Sequence, residues 1–387
     1  MNHEYLTLGI FGTSNKENEF RLPIHPDHLQ HLSPMVKGQI FVEKGYGRKF
    51  GTDENYLQAH TAGILSRQEL FEQCDVVLLP KPTEADFRFF RDDQILWGWP
   101  HCVQDAQITQ VGIDRRMTMI AWEAMFSWKT AKVPALHTFC KNNELAGYCS
   151  ILHGLQLHGI TGQYGAPQRA AVISFGATAR GAIHALKGLG FTDITVFTQR
   201  PTYAIQNQIP TIRYRQMRRT APDSAHVEVV EDDNTGMPMI EELANYNIIV
   251  NCVLQDPTNP LMFVQTDEVE RLAPGTLIVD VSCDLEMGFE FARPTSFEEP
   301  AFHVTDGITY YAVDHSPSLL WDAATYEIST ALLPYLDVVV KGEKAWQKNL
   351  TIRNAIEMKN GVIVNPKILH FQNRQREYPH PVQGDAE

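Results

Sequence analysis

The segment 170–200 constrains the fold of this chain more than any other stretch. The apolar run AAVI at 170–173 has the length and composition of a buried parallel strand. Glycines follow at 176 and 181, and apolar residues at helical spacing then lead to a second strand at 194–197. Strand, glycine turn, helix and strand in this order predict a dinucleotide-binding unit of an α/β protein.

The glycine turn supplies most of the predicted cofactor contacts. Gly176 is expected to permit a tight turn, and Gly181 to let the helix pack closely on the strand, while free N–H groups at the helix N-terminus meet a pyrophosphate. Thr178 stands where the middle glycine of G-x-G-x-x-G is usual. The predicted cofactor-binding residues are Gly176, Ala177, Thr178, Ala179, Arg180 and Gly181 in the turn, Thr198, Gln199 and Arg200 after the second strand, and Cys252 and Val253 after a later strand.

The end of the second strand bears on the choice of cofactor. It reads Thr198-Gln199-Arg200 and lacks the carboxylate that commonly binds the ribose hydroxyls of NAD. Arg200 would attract a 2′-phosphate, and a charge-assisted hydrogen bond contributes about 1.5–3 kcal/mol, or roughly 10–100-fold in affinity. We therefore predict NADP(H) in preference to NAD(H). The alternatives are a βαβ unit without a cofactor and a solvated Arg200.

Charge and cysteine usage narrow the class of protein. A formal net charge of −13 over 387 residues argues against a nucleic-acid partner, because phosphate binding needs a basic surface. The six cysteines form no CxxC pair and lie in apolar stretches, which is typical of reduced thiols in the cytoplasm. No apolar run approaches membrane-spanning length, and the first residues lack a signal-peptide pattern. We expect a cytoplasmic protein with no membrane partner.

Three histidines near the N-terminus raise the question of a metal site. His25, His28 and His31 recur at i, i+3 and i+6 in a predicted helix, with no Cys or Glu near enough to complete a ligand set. We predict one solvated helical face and no metal.

Polar residues follow three strand-like runs in the first 130 residues. Lys81, His101 and Glu123 each come just after such a run. Because ligands bind at the carboxyl ends of strands in open α/β sheets, these ends predict one cleft.

The pattern of elements predicts two domains. An amphipathic helix at 144–158 is expected to cross between them, and helices from Leu319 onward to return to the first. We place the substrate domain at 1–143 and 308–387, and the dinucleotide-binding domain at 144–307.

Residues 211–239 break the pattern, being first basic and then acidic. A solvated insertion is the favoured interpretation, and a role in holding the adenosine phosphate is the alternative.

Five segments, in this order, resemble the alanine dehydrogenase and pyridine nucleotide transhydrogenase superfamily over nearly the whole chain. The resemblance implies an α/β fold of two Rossmann-like domains with a cleft between them, the N-terminal one completed by the C-terminal segment. It also implies a pyridine nucleotide and a homo-oligomer of undetermined size. The segments are R-L-P at 21–23, P-K-P at 80–82, W-P-H at 99–101, V-D-V-S-C-D at 279–284, and R-P-T with E-P between 293 and 300.

Two details resemble enzymes that join a keto acid to the amine of an amino acid. G-W-P-H at 98–101 is similar to the G-W-T-H of N5-(carboxyethyl)ornithine synthase. D-H-S-P-S-L-L at 314–320 is similar to a segment of the lysine-forming saccharopine dehydrogenase, which makes Asp314 and His315 candidate substrate-binding residues, with a capped turn as the alternative. The resemblance therefore implies an oxidoreductase acting on CH–NH bonds.

The implied reaction condenses a 2-keto acid with an amine and reduces the resulting imine with NADPH. Arg21 would bind the carboxylate as a planar fork, and His101 would transfer protons near neutrality. Lys81 is expected to have a pKa lowered by repulsion from Arg21, or else to polarise the keto oxygen as a cation. Asp284 would lie near the nicotinamide, and Glu123 is a further candidate substrate-binding residue.

Two other functions stay open. An alanine-dehydrogenase-like enzyme would use ammonia as the amine, and a regulator would bind the cofactor without chemistry. The presence of Arg21, Lys81 and His101 argues against the regulator.

Overall fold

A computed structural model describes residues 5–130 and 133–383 of the chain. The chain divides into two compact units: unit 1 is formed by Met1–Cys140 and Trp321–Glu387, and unit 2 by Lys141–Leu320. We predicted the boundaries after residues 143 and 307. The second one falls later because the strands at Ala301–Thr305 and Ile308–Tyr311 belong to the sheet of unit 2.

Strands and helices alternate in the N-terminal part of unit 1. The strands are β1 Leu8–Ile10, β2 Ile40–Glu43, β3 Gly63–Leu65, β4 Val76–Leu78, β5 Ile95–Gly98 and β6 Thr118–Ala121, followed by the hairpin of β7 Phe126–Thr130 and β8 Val133–His137. The helices are α1 Pro26–Leu29, α2 Pro34–Lys37, α3 Glu54–His60, α4 Arg67–Gln73, α5 Glu84–Phe87 and α6 Ala106–Asp114.

Unit 2 repeats this alternation and adds several short strands. Its helices are α7 Cys140–Leu157, which begins at the boundary, α8 Ala177–Gly188 and α9 Met239–Leu243. Its strands are β9 Arg169–Ile173, β10 Asp193–Thr198, β11 Arg213–Arg219, β12 Val227–Val230, β13 Gly236–Pro238, β14 Ile248–Asn251, β15 Met262–Val264, β16 Leu277–Asp280, β17 Gly288–Phe289, β18 Ala301–Thr305 and β19 Ile308–Tyr311.

The C-terminal segment returns to unit 1, as expected from its helical pattern. It comprises α10 Trp321–Val340, α11 Glu343–Trp346, α12 Leu350–Asn354, β20 Ile356–Lys359, β21 Val362–Ile363 and α13 Pro366–Phe371.

The sheet of unit 1 has the strand order of a doubly wound fold. Six parallel strands run in the order β3-β2-β1-β4-β5-β6, and β20 and β21 extend the edge in antiparallel fashion. Alternate residues enter two different hydrophobic clusters: Val76 and Leu78 of β4 pack in one, and Val77 in the other. The sheet is therefore covered on both faces, as a parallel sheet requires.

Unit 2 contains the same parallel order, β11-β10-β9-β14-β16-β19. The predicted fold class is thereby confirmed, because each unit is an open α/β sheet of the Rossmann type. Residues 211–239 form regular strands, which the sequence did not predict, since β11 pairs with β10 and β12 and β13 continue the sheet. Most of their side chains are exposed or half-buried, as the solvated interpretation predicted. The basic first part of this segment pairs with its acidic second part across these strands, as Arg218 does with Glu228 at 2.7 Å.

Helices α7 and α8 pack with their backbones in contact. A Cβ on Gly181 would lie 1.7 Å from the carbonyl oxygen of Glu144, and a Cβ on Gly147 would lie 1.9 Å from that of Thr178. We predicted that Gly181 lets its helix approach the strand. The structure shows instead that it lets α8 approach α7, so a glycine is required on each helix.

No helix within residues 5–130 and 133–383 combines the length and the apolar character needed to cross a bilayer.

Candidate active site

The candidate active site of unit 1 lies where its central strands end. Lys81 follows β4, His101 follows β5 and Glu123 follows β6. The register pairs Leu78 with Trp97, so the ends of β4 and β5 lie side by side. The loop after β1, which leads to Arg21, starts at the same edge, because β1 is parallel to β4. These ends flank the point where the strand order reverses, which is the usual ligand site of such sheets.

The indole of Trp99 lies close to two cations. The Cζ atom of Arg21 is 5.2 Å from its ring centroid, and the Nζ atom of Lys81 is 5.9 Å from it. Trp99 is itself held by Trp122, whose ring packs edge-on at 4.6 Å, and by Phe139. A rigid aromatic wall therefore positions both basic residues.

Lys81 and His101 are in direct contact. The Lys81 Nζ and His101 Nε2 atoms are 3.0 Å apart, so one nitrogen donates a hydrogen bond to the other. The backbone of His101 is left-handed, with φ +52°, a conformation that costs energy in a residue with a Cβ. Its N–H donates to Oε1 of Glu123 at 2.7 Å. The histidine side chain is 45% exposed, so a substrate can reach it.

Arg21 is paired with a carboxylate that the sequence analysis did not single out. Its Nε donates to Oε1 of Glu19 at 2.8 Å, its Nη2 donates to Oε2, and both side chains are buried. We expected repulsion from Arg21 to act on Lys81. The Glu19 carboxylate offsets that charge, and the basic group in contact with Lys81 is His101.

Glu123 is a carboxyl group whose pKa lies above its ordinary value. Burial raises the pKa of Glu123 to about 8, and the charge of Glu357 adds to the rise, while Lys81 opposes it. Burial also raises the pKa of Glu357 on β20. In the described part of the chain, Oε2 of each carboxyl is buried without a hydrogen-bond partner. A proton on one of these carboxyls relieves the repulsion between them.

Hydrogen bonds fix the position of the loop that carries Lys81. The Ser14 hydroxyl donates to the Lys81 carbonyl oxygen at 3.3 Å. Asp86, which is fully buried, accepts bonds from the Thr83 N–H at 2.9 Å and from Arg67 Nη2 at 2.6 Å. Arg67 also donates to the carbonyl oxygen of Thr13 at 2.8 Å. The loops after β1 and β4 are thereby tied together.

The turn between β9 and α8 in unit 2 fits a pyrophosphate. A Cβ on Gly176 would meet no atom within 4 Å, so the space above the turn is open. In the described chain, the N–H groups of Ala177 and Thr178 have no acceptor. Our prediction that Gly176 makes the tight turn is wrong, because the left-handed residue is Ser174, with φ +91°. Gly176 instead leaves room for a ligand.

The end of β10 lies against this turn. Nη2 of Arg200 donates to the carbonyl oxygen of Phe175 at 2.9 Å, while the Arg200 backbone N–H donates to the hydroxyl of Thr198 at 3.3 Å. Gln199 is exposed beside them. Arg180 instead stacks on Phe175 at 4.1 Å and donates to the carbonyl oxygen of Asn207 at 3.0 Å.

Further predicted site residues of unit 2 lie at or after the ends of β14 and β16. Cys252 and Val253 follow β14, whose neighbour β9 leads into the glycine turn. Burial raises the pKa of the Cys252 thiol, which keeps it protonated. Burial also raises the pKa of Asp280 to about 7, against hydrogen bonds from Tyr310 and from the Cys283 and Ser282 amides. The pKa of Asp284 rises to about 6 by burial, which suits a carboxyl group that exchanges a proton.

Asp314 and His315 lie in unit 2. The two side chains pair through Nδ1 of the histidine, and the edge of the His315 ring meets Phe297 at 4.8 Å. His315 is 2% exposed, whereas Asp314 is exposed, so only the histidine of the pair is buried.

No metal-ligand group of three or more His, Cys, Asp or Glu occurs in the described residues. The solvated face predicted for the N-terminal histidines is wrong for His25 and His28, whereas His31 is exposed. His25 is buried and caps α1 by accepting the Asp27 N–H, and His28 bonds the Ser329 hydroxyl at 2.7 Å. Both rings pack on Tyr326.

Sequence reasoning missed two carboxylates at this site. Glu19 had a local signal, because residues two apart in an extended segment point the same way. Glu357 had none, since its approach to Glu123 depends on β20 pairing with β6, far away in the chain.

The chain matches the models of two protein domains. Residues 13–142 match the description "Alanine dehydrogenase/PNT, N-terminal domain", and residues 152–366 match "Alanine dehydrogenase/PNT, C-terminal domain".

Curated relatives of two kinds are similar over most of the chain. An alanine dehydrogenase of Methanococcus maripaludis is 24% identical over 376 residues, which cover 92% of each chain. An N(5)-(carboxyethyl)ornithine synthase of Clostridium botulinum is 25% identical over 350 residues, which cover 85% of this chain and 96% of the relative.

Solved structures share the fold. An L-alanine dehydrogenase aligns with a TM-score of 0.74 at 19% identity, covering 95% of this chain and 99% of the other. A transhydrogenase from Sinorhizobium meliloti aligns with a TM-score of 0.69 at 14% identity, covering 93% and 99%.

Proposed function

Because the chain belongs to the alanine dehydrogenase/PNT family of oxidoreductases, we propose that it reductively condenses a 2-keto acid with the amine of an amino acid, using NADPH. The overall reaction is keto acid plus ammonium form of the amine plus NADPH plus one proton, giving the protonated secondary amine, NADP⁺ and water. The observation that carries this proposal is the Lys81–His101 contact of 3.0 Å beside Arg21.

Arg21 binds the carboxylate of the keto acid. Its guanidinium is already oriented by Glu19 and by the face of Trp99, so little side-chain entropy is lost on binding. The pairing also keeps the buried cation compensated before the substrate arrives, which limits the cost of burying an isolated charge.

Lys81 and His101 move the protons. The amine must lose a proton before its nitrogen attacks the keto carbon, and the resulting hydroxyl must gain one to leave as water. Two nitrogens 3.0 Å apart, which share one hydrogen, allow one of them to accept while the other donates. The Glu123 carboxyl holds the backbone N–H of His101, and thereby fixes the loop that presents the imidazole.

The residues of unit 2 hold the coenzyme, which supplies the hydride when bound. The helix N-terminus at Ala177 and the open space at Gly176 suit the pyrophosphate, and Arg200 suits a 2′-phosphate. Asp284, with its raised pKa, is placed at a strand end of the same unit and is proposed to act near the nicotinamide. The cysteine pattern supports a cytoplasmic location, and we further propose a homo-oligomer.

The test is a matrix of keto acids against amines, with NADPH oxidation followed by absorbance. The expected result is turnover with an amino acid as the amine and a secondary-amine product identified by mass spectrometry. Binding of NADPH without turnover on any pair would instead support a regulator.

The second candidate is an ammonia-using amino-acid dehydrogenase. It is favoured by the similarity to alanine dehydrogenases, which is about as high as that to the carboxyethylornithine synthase. Turnover with a keto acid and ammonia alone, and none with amino acids, would select it.

A further inference from the structure

Unit 1 contains a cavity beside the proposed keto-acid site that the mechanism above does not use. Its volume is about 370 Å³. Its walls come from the loop after β1 (12–14), the segment that precedes and follows Arg21 (19–22), and the loop after β2 (44–50).

Three cations surround this cavity: Lys44, Arg48 and Lys49. In the described ranges, no carboxylate lies within 4.0 Å of their charged nitrogens. The nearby acids are engaged elsewhere. Glu19 bonds Arg21, and Glu43 accepts the Gly12 and Thr13 N–H groups at 2.7 and 2.8 Å. The cavity therefore has an excess of positive charge and suits an anion.

The three cations lie on the tight loop that follows β2. Gly47 is left-handed, with φ +70°, and a Cβ there would lie 2.7 Å from Pro26, so the loop needs a glycine at this position. The Nζ atom of Lys49 lies 3.1 Å from the ring centroid of Phe20, and Phe50 packs edge-on against Trp321 at 5.0 Å. Aromatic walls next to cations fit a ligand that has a methylene chain and an anionic end.

The cavity adjoins the proposed catalytic residues. Glu19 and Leu22, which line it, flank Arg21 in sequence. Ser14, also in the wall, donates to the carbonyl oxygen of Lys81. The cavity wall therefore shares Ser14 with the support of the Lys81 loop and includes residues on both sides of Arg21 in the sequence.

We propose that this cavity binds the α-carboxylate of the amino acid that supplies the amine, and that the reacting nitrogen is a side-chain amine. This proposal rests on the proposed condensation. Arg21 already serves the keto-acid carboxylate, so the second carboxylate of the reaction requires cations of its own. An α-amine lies one carbon from its carboxylate, whereas a side-chain amine reaches from the cavity toward Lys81 and His101.

The first experiment compares matched amine substrates with a fixed keto acid and NADPH. L-Ornithine and L-lysine are each compared with the diamine that lacks the carboxylate, putrescine and cadaverine. The wild type is expected to prefer the amino acid by roughly 10-fold or more in kcat/KM, the factor that one charge-assisted hydrogen bond supplies.

The second experiment removes the cations. Lys44→Ala and Arg48→Ala are each expected to raise the KM of the amino acid about threefold to tenfold, since exposed pairs are partly screened. The double variant should lose the preference for the amino acid over the diamine. The KM of the keto acid should not change. Lys367→Ala, an exposed lysine on α13 outside the cavity wall, is the matched control.

The outcomes separate the two proposals. Two results would overturn the cavity assignment and leave the condensation standing. One is that amino acids are substrates but the diamine is used equally well, and the other is that Lys44→Ala/Arg48→Ala leaves the amino-acid KM at the wild-type value. A rise in the keto-acid KM instead would assign the cations to the other substrate. If no amino acid is turned over while ammonia is, both proposals fail together.

Discussion

The Nζ atom of Lys81 lies 3.0 Å from Nε2 of His101, although the two residues are 20 positions apart. The parallel pairing of β4 and β5 brings them together, because each residue lies just beyond the end of its own strand. The contact joins two groups of the kind that act as general acids and bases, and the Lys81 ammonium lies 5.9 Å from the ring centroid of Trp99.

Removal of either member of this pair is expected to abolish most of the catalysis. Lys81→Ala and His101→Ala should each lower kcat by about 10²–10⁴-fold, the range for a lost general acid or base. The affinity for NADPH, measured by fluorescence titration, should stay within twofold, since its proposed site lies in unit 2. A variant that keeps near-wild-type kcat would remove that residue from the mechanism.

The protonation of Glu123 predicts how stability depends on pH. Its folded pKa of about 8 lies above the ordinary value of 4.5. Between these values the folded state holds a proton that the unfolded state has lost, so the free energy of unfolding falls as pH rises. The melting temperature should therefore decline from about pH 5 to pH 8, and Glu123→Gln should flatten this decline. Glu72→Gln, an exposed carboxylate on α4, is the control and should leave the slope unchanged.

The close crossing of α7 and α8 predicts opposite results at two glycines of one helix. Gly181→Ala places a Cβ 1.7 Å from a backbone carbonyl oxygen and should destabilise the protein by about 1–3 kcal/mol, as overpacking does. Gly188→Ala meets no atom within 4 Å, and should be neutral or stabilising by up to about 1 kcal/mol through helix propensity. Thermal and urea unfolding measure both, and equal effects would contradict the crossing.

Gly176→Ala separates cofactor binding from stability. The added Cβ clashes with no protein atom, so the melting temperature should not fall. It does enter the space above the free N–H groups of the α8 N-terminus, and the dissociation constant of NADPH should rise roughly tenfold or more, equivalent to the loss of one good hydrogen bond. Unchanged NADPH affinity would show that the phosphates lie elsewhere.

Arg200→Ala is expected to weaken NADPH binding about 10–100-fold and to leave NADH binding within a few-fold, because a 2′-phosphate is present in one cofactor alone. Arg200→Lys keeps the positive charge and should retain part of the preference. Calorimetric titration of both cofactors measures the effect. A wild-type preference for NADH would refute the assignment at once.

The sequence by itself determined the fold class, and it predicted the strand ends at which Lys81, His101 and Glu123 lie. The chain contains runs of four or five apolar residues that alternate with helical patterns. Such runs predict parallel sheets with helices on both faces, because both faces of each strand must be buried. The position of Lys81, His101 and Glu123 after three such runs was sufficient to predict that they meet, because parallel strands end at the same edge.

Only the tertiary structure shows the contacts between segments that are far apart in the chain. The pairing of Glu123 with Glu357 and the crossing of Gly181 on Glu144 depend on which segments meet in space, and a short window of sequence carries no record of that. Residues 211–239 show the same limit. Their charges suggested a solvated insertion, and the side chains are indeed largely exposed, but only the tertiary structure shows that these charges pair across strands that extend the sheet.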